Sequence, residues 1–62
     1  MIYKLKLITY TKDQYVIYED VSKEIMLEHM EKFIINNPSR TFAVNYEQIP
    51  EGAFIMKLIE RD

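Results

Sequence analysis

Cysteine and tryptophan are missing from this chain, and glycine and histidine occur once each. Without cysteine there is no disulfide framework and no thiolate zinc site, two devices that commonly staple very small folds. The lone glycine, Gly52, excludes the glycine-rich loops that cradle phosphate groups. The lone histidine has no second imidazole to share a metal with. The positions three and four residues from His29 hold Ile25, Met26, Lys32 and Phe33, none of them an ordinary ligand. Only two serines are present: Ser22 stands where a helix needs a cap and Ser39 where a turn is expected, so neither is placed as a nucleophile. No enzyme activity, cofactor or metal is expected. A long apolar run is also lacking, because Lys4 and Lys6 interrupt the N-terminal stretch; this fits neither a signal peptide nor a membrane span, and a cytoplasmic location is expected.

What is present is the composition of a folded domain. Of 62 residues, 48% are hydrophobic and 29% charged, which supports one domain spanning residues 1–62 and not a disordered tail. A chain of this size buries only about 60% of the surface that its unfolded form exposes, so its core is thin. The net charge of −2 gives no overall drive towards nucleic acid or an anionic membrane. Its distribution is uneven: Lys4, Lys6 and Lys12 dominate the first third, whereas Glu19, Asp20, Glu24, Glu28 and Glu31 outnumber Lys23 and Lys32 in the middle.

The pattern predicts an α+β domain in the order β-β-α-β-β, a four-stranded sheet with one helix packed on one face. Ile2 to Thr11 and Tyr15 to Glu19 alternate and are rich in β-branched and aromatic residues, which predicts a hairpin. A two-residue turn at Lys12-Asp13 would place Tyr10 opposite Tyr15, Ile8 opposite Ile17 and Lys6 opposite Glu19, leaving Leu5, Leu7, Val16 and Tyr18 on the other face. Asp20 or Ser22 is positioned to cap a helix running from about Lys23 to Asn36. Met26, Leu27, Met30, Phe33 and Ile34 form its apolar stripe, and the glutamates form the wet side. Asn36-Asn37-Pro38 should end it, because the residue before proline avoids helical angles and asparagine tolerates the left-handed region. Thr41 to Tyr46 and Ala53 to Glu60 alternate again, joined through Ile49-Pro50-Glu51-Gly52, which has proline and glycine at the second and fourth positions of a type I turn. Two strand orders satisfy this pattern: a β-grasp with strands one and four parallel at the centre, or an all-antiparallel sheet.

One helix covers only one face of such a sheet, so the second should meet water. The positions assigned to it include Ile8, Tyr10, Tyr15, Ile17, Ile55 and Ile59, interrupted by Lys4, Lys6 and Lys57. A contiguous apolar patch of that kind marks an interface with another protein or with a second copy in a homodimer. Tyr10 and Tyr15 with the lysines also suggest a stacking platform for single-stranded nucleic acid, a less favoured reading given the negative net charge. Glu24, Glu28 and Glu31 are read as a solvated helix face, with Glu28 and Lys32 in the favourable spacing for a surface pair.

Specific stretches resemble a known family. Met1-Ile2-Tyr3-Lys4, Tyr18-Glu19-Asp20-Val21-Ser22 and Phe42-Ala43-Val44-Asn45-Tyr46 followed by Glu51-Gly52-Ala53-Phe54-Ile55 look like the small epsilon subunit of Firmicutes RNA polymerase, which itself resembles a phage-encoded polymerase inhibitor in fold. That resemblance implies an accessory subunit or regulator of bacterial RNA polymerase, or a phage-type inhibitor of a host protein, and carries no site residues with it. The opening Met1-Ile2-Tyr3-Lys4-Leu5 and the β-β-α-β-β order also resemble the immunoglobulin-binding domains of streptococcal protein G.

Overall fold

The computed structural model describes residues 1–61. Its elements follow the predicted order: β1 (Ile2–Ile8), β2 (Gln14–Asp20), α1 (Lys23–Ile35), β3 (Thr41–Ile49) and β4 (Ala53–Arg61). The four strands form one sheet in the order β2-β1-β4-β3. β1 and β4 are parallel at its centre, and each is flanked by its antiparallel hairpin partner. Of the two orders open to the sequence, this is the β-grasp arrangement.

The parallel register sets Tyr3 beside Phe54, Leu5 beside Met56 and Leu7 beside Leu58. Side chains alternate across a strand, so these six share the face beneath the helix. Leu5, Leu58 and Met26 of α1 are at most 1% exposed and Leu7 is buried beside them. Leu27, Met30, Phe33, Tyr18 and Phe42 pack around that centre. Full burial of such a side chain stabilises by about 1.5–3 kcal/mol, and with so few of them the centre of the sheet carries most of the fold's stability.

Both ends of α1 are closed by side chains. Ser22 is the cap: its hydroxyl accepts from Ile25 N–H at 3.4 Å, while Asp20 Oδ1 accepts from Ser22 N–H at 2.9 Å. At the other end Asn36 keeps right-handed helical angles (φ −77°), contrary to the expected left-handed stop. Asn37 ends the helix instead, its Nδ2 donating to the Phe33 carbonyl at 2.7 Å and its N–H to the Ile34 carbonyl at 3.1 Å. A side chain thereby satisfies a carbonyl that a left-handed residue would otherwise serve.

The first hairpin differs from its predicted register. Its turn spans Thr9 to Asp13, with Lys12 N–H donating to the Thr9 carbonyl and Thr9 N–H to the Asp13 carbonyl, each at 2.9 Å. Lys12 adopts φ +73°, the left-handed conformation. Lys4 therefore pairs with Glu19, Lys6 with Val16 and Leu7 with Tyr15. Ile17 is an extra residue where the register shifts between Leu5 and Lys6. The predicted pairs Tyr10–Tyr15, Ile8–Ile17 and Lys6–Glu19 do not form, and Val16 faces away from the helix. The physical reason is the longer turn, together with a bulge that composition does not announce. The second hairpin has the same turn: Gly52 N–H donates to the Ile49 carbonyl at 3.0 Å, and Gly52 takes φ +108°.

Candidate functional site

The predicted surface divides in three. Ile8, Ile55 and Ile59 lie together on the face away from the helix, half-buried by their neighbours. Tyr10 is in the turn after β1 and is exposed. Tyr15 sits opposite Leu7 on the helix side, also exposed, and Ile17 packs against the core. Tyr15 therefore lies on the opposite face from the lysines of the predicted nucleic-acid platform, and Tyr10 lies in a turn outside the strand rows.

The open face is built from cross-strand rows. Ile8 lies beside Ile59, and Ile59 beside Ala43; at the other end Ile2 lies beside Ala53, and Ala53 beside Ile49. Between these aliphatic rows run Glu19–Lys4–Ile55–Glu47 and Val16–Lys6–Lys57–Asn45. Val16 joins this face through the observed register and Ile49 through the added length of β3, whereas Ile2, Ala43 and Ala53 follow from the alternation of their own strands. Lys4 pairs with Glu19 at 3.3 Å and Lys57 with Glu47 at 3.9 Å. Lys6 has no carboxylate within ion-pair distance among the described residues, although it stands directly beside Lys57. Like charges side by side on a sheet destabilise it, and Lys57 is only 25% exposed, so solvent screens the pair incompletely.

The two edges of the sheet differ. Ile2 N–H donates to the Gly52 carbonyl at 2.7 Å and Gly52 N–H to the Ile49 carbonyl, which fixes the phase of the ladder. Antiparallel bonds alternate, so Thr41, Ala43, Asn45, Glu47 and Ile49 bond to β4, while Phe42, Val44, Tyr46 and Gln48 direct their N–H and C=O groups to the open edge. Tyr46 N–H donates to its neighbour's Asn45 Oδ1 at 2.8 Å, as an N–H without a strand partner would. On β2 the same reasoning puts Gln14 and Val16 outward, then Glu19, because the extra Ile17 breaks the alternation.

On the helix side a cleft of about 280 Å³ lies between α1 and β2, lined by Leu5, Ile17, Tyr18, His29, Lys32, Phe33 and Asn36. The His29 ring lies flat on Tyr18, with centroids 3.6 Å apart and planes 14° apart. Burial, and then the nearby Asp20 carboxylate, push the Tyr18 phenol up from its ordinary pKa, and its hydroxyl donates to Asp20 Oδ2 at 3.3 Å. Beyond the cleft, Arg40 Nε donates to Glu60 Oε2 at 2.7 Å, and the guanidinium lies over the Phe33 and Phe42 rings. The hydrogen bond from Arg40 holds the Glu60 carboxyl below the usual carboxylate range, and Glu60 Oε1 also accepts from Tyr10 N–H at 3.4 Å. No group of three or more His, Cys, Asp and Glu residues that could hold a metal occurs among the described residues, and no described helix is long and apolar enough to cross a membrane. Comparison with known proteins finds no matching family, curated protein or solved structure.

Proposed function

We propose that the chain is a non-catalytic protein-binding module that docks through the open face of its sheet onto a partner presenting aliphatic side chains around a carboxylate. One observation carries this reading: the aliphatic rows of Ile8, Ile59 and Ala43 and of Ile2, Ala53 and Ile49 bracket two adjacent lysines, and among the described residues no other element lies over them. An aliphatic surface of this kind gains from being covered. A partner carboxylate set between Lys6 and Lys57 would relieve their mutual repulsion and fix the register of docking. The first partner to test is bacterial RNA polymerase, the one that the resemblance to the epsilon subunit implies.

The test is binding of the purified chain to purified RNA polymerase, read as affinity for wild type, Ile59→Glu and Lys6→Glu, with thermal melts to confirm folding. Each substitution is expected to weaken binding at least about tenfold, since losing one well-packed contact or reversing one charge in an interface is worth about 1.4 kcal/mol or more. Binding that neither substitution changes would move the site off this face, and no binding at all would remove polymerase as the partner.

A further inference from the structure

β3 is an edge strand whose open side is unusually complete. Over nine residues it has no proline, no bulge and no lysine, and its only charged residue, Glu47, points to the open face, where Lys57 pairs with it. Natural edges are usually blunted by one of those devices, because an open row of N–H and C=O groups is a template for another strand. On the helix side the same strand carries Val44, 51% exposed, and Tyr46, 65% exposed. The helix does not cover them: it packs over β1 and β2 and meets β3 through Phe33 against Phe42, ring centroids 5.6 Å apart. The unsatisfied backbone and the uncovered side chains are thus on one strand.

We propose that this edge is a self-association site, at which β3 pairs antiparallel with β3 of a second copy about a twofold axis through Asn45. The strand is compatible with itself in that register. Thr41–Ile49 is centred on Asn45, so all nine residues overlap, and Phe42, Val44, Tyr46 and Gln48 meet Gln48, Tyr46, Val44 and Phe42 of the second copy. These are the residues with outward backbone groups, so each N–H and C=O finds a partner. Opposed residues in an antiparallel pair share a face. Val44 would therefore lie against Tyr46 of the second copy on the helix side, where both are exposed now. Glu47 falls opposite Ala43, so no like charges meet. A shift that set Glu47 on the axis would oppose the two carboxylates and shorten the overlap. The result is an eight-stranded sheet with both helices on one side, leaving the open face and its lysines free on each copy. Pairing displaces the Asn45 side chain from Tyr46 N–H, so the monomer has a competing bond of its own. An interface of one strand and two side chains is small, which predicts a reversible dimer that forms at high concentration.

The natural absence of cysteine gives a clean test. In Asn45→Cys the two sulfur-bearing residues would be a directly opposed, non-hydrogen-bonded pair with Cα atoms about 4.5 Å apart, within disulfide reach. Glu47→Cys on the same strand and Gln14→Cys on the β2 edge serve as controls. Under mild oxidation Asn45→Cys should form covalent dimer at least about tenfold faster than either control, and adding Val44→Lys with Tyr46→Lys should remove that advantage. Hydrogen exchange on the wild-type chain should slow at Val44 and Tyr46 as concentration rises, and nowhere on β2. Equal cross-linking of the three variants, or exchange at Val44 and Tyr46 that is independent of concentration, would overturn the proposal.

Discussion

The two edges of this sheet are brought in by hairpins with the same turn, yet one is closed to further pairing and the other open. β2 carries an extra residue at Ile17, so its outward groups run Gln14, Val16 and then Glu19, and no straight strand can pair with both halves. It also ends in Glu19 and Asp20 and has the helix packed against it. β3 is two residues longer, regular throughout, and nearly free of charge. A small sheet need not protect both edges in the same way. Here the edge against which the helix packs is blunted, and the edge remote from the helix is left as a template.

The largest effect that would sharpen this contrast comes from proline. At Asn45 it removes an N–H that bonds to β4, and the fold should lose about 2–4 kcal/mol. At Val44 it replaces an N–H that faces solvent, and less than about half of that loss is expected, since prolines are tolerated on the open side of edge strands. Chemical denaturation of Asn45→Pro and Val44→Pro measures both, and equal losses would mean that the phase of the ladder is wrong.

A smaller effect separates the two turns. Gly52→Ala places a Cβ in open space, with nothing within 4 Å, so its penalty is purely that of φ +108° and should be about 1–2 kcal/mol. Lys12→Gly works in the other direction: a left-handed lysine is replaced by the residue that tolerates that conformation, and stability should rise by up to about 1 kcal/mol. Thermal melts that moved in the same direction for both would refute the shared turn geometry.

The smallest effect concerns the tie between the edges. Glu60 joins Arg40, just before β3, to Tyr10 at the tip of the hairpin that carries β2. Its carboxyl is held below its ordinary pKa in the folded chain, so the tie contributes in full above the usual carboxylate range and is lost as pH falls through the depressed value. Wild type should therefore lose more stability than Glu60→Gln on acidification through and below that range, and parallel melting curves for the two would exclude the tie.

Element order and the helix-side core were legible because alternation, a serine cap and a proline-glycine turn are local signals. The strand order was not, since a helical connection accommodates both a parallel and an antiparallel centre. The first hairpin misled because its turn residue is lysine: Gly52 advertises a positive φ, whereas Lys12 does not, and no local signal marks the bulge at Ile17. That one register decided the candidate surface. Ile8, Ile55 and Ile59 depend on β1 and β4 alone and were placed on the open face correctly, while Tyr10, Tyr15 and Ile17 depend on the turn and were not. The open edge was half visible: Glu47 and Ile49 continue the alternation of β3, but the sequence does not say which strand ends up outermost.

The face-to-face ring pair in the cleft makes the molecule its own spectrometer. His29 is the only imidazole in the chain and lies 3.6 Å above the Tyr18 ring. Its carbon-bound protons sit in the shielding region of that ring, so they should resonate upfield of an unstructured histidine in a part of the proton spectrum with no tryptophan signals to obscure them. Because Tyr18 belongs to β2 and His29 to α1, that shift reports the seating of helix on sheet, and it does so in an unlabelled, unmodified chain.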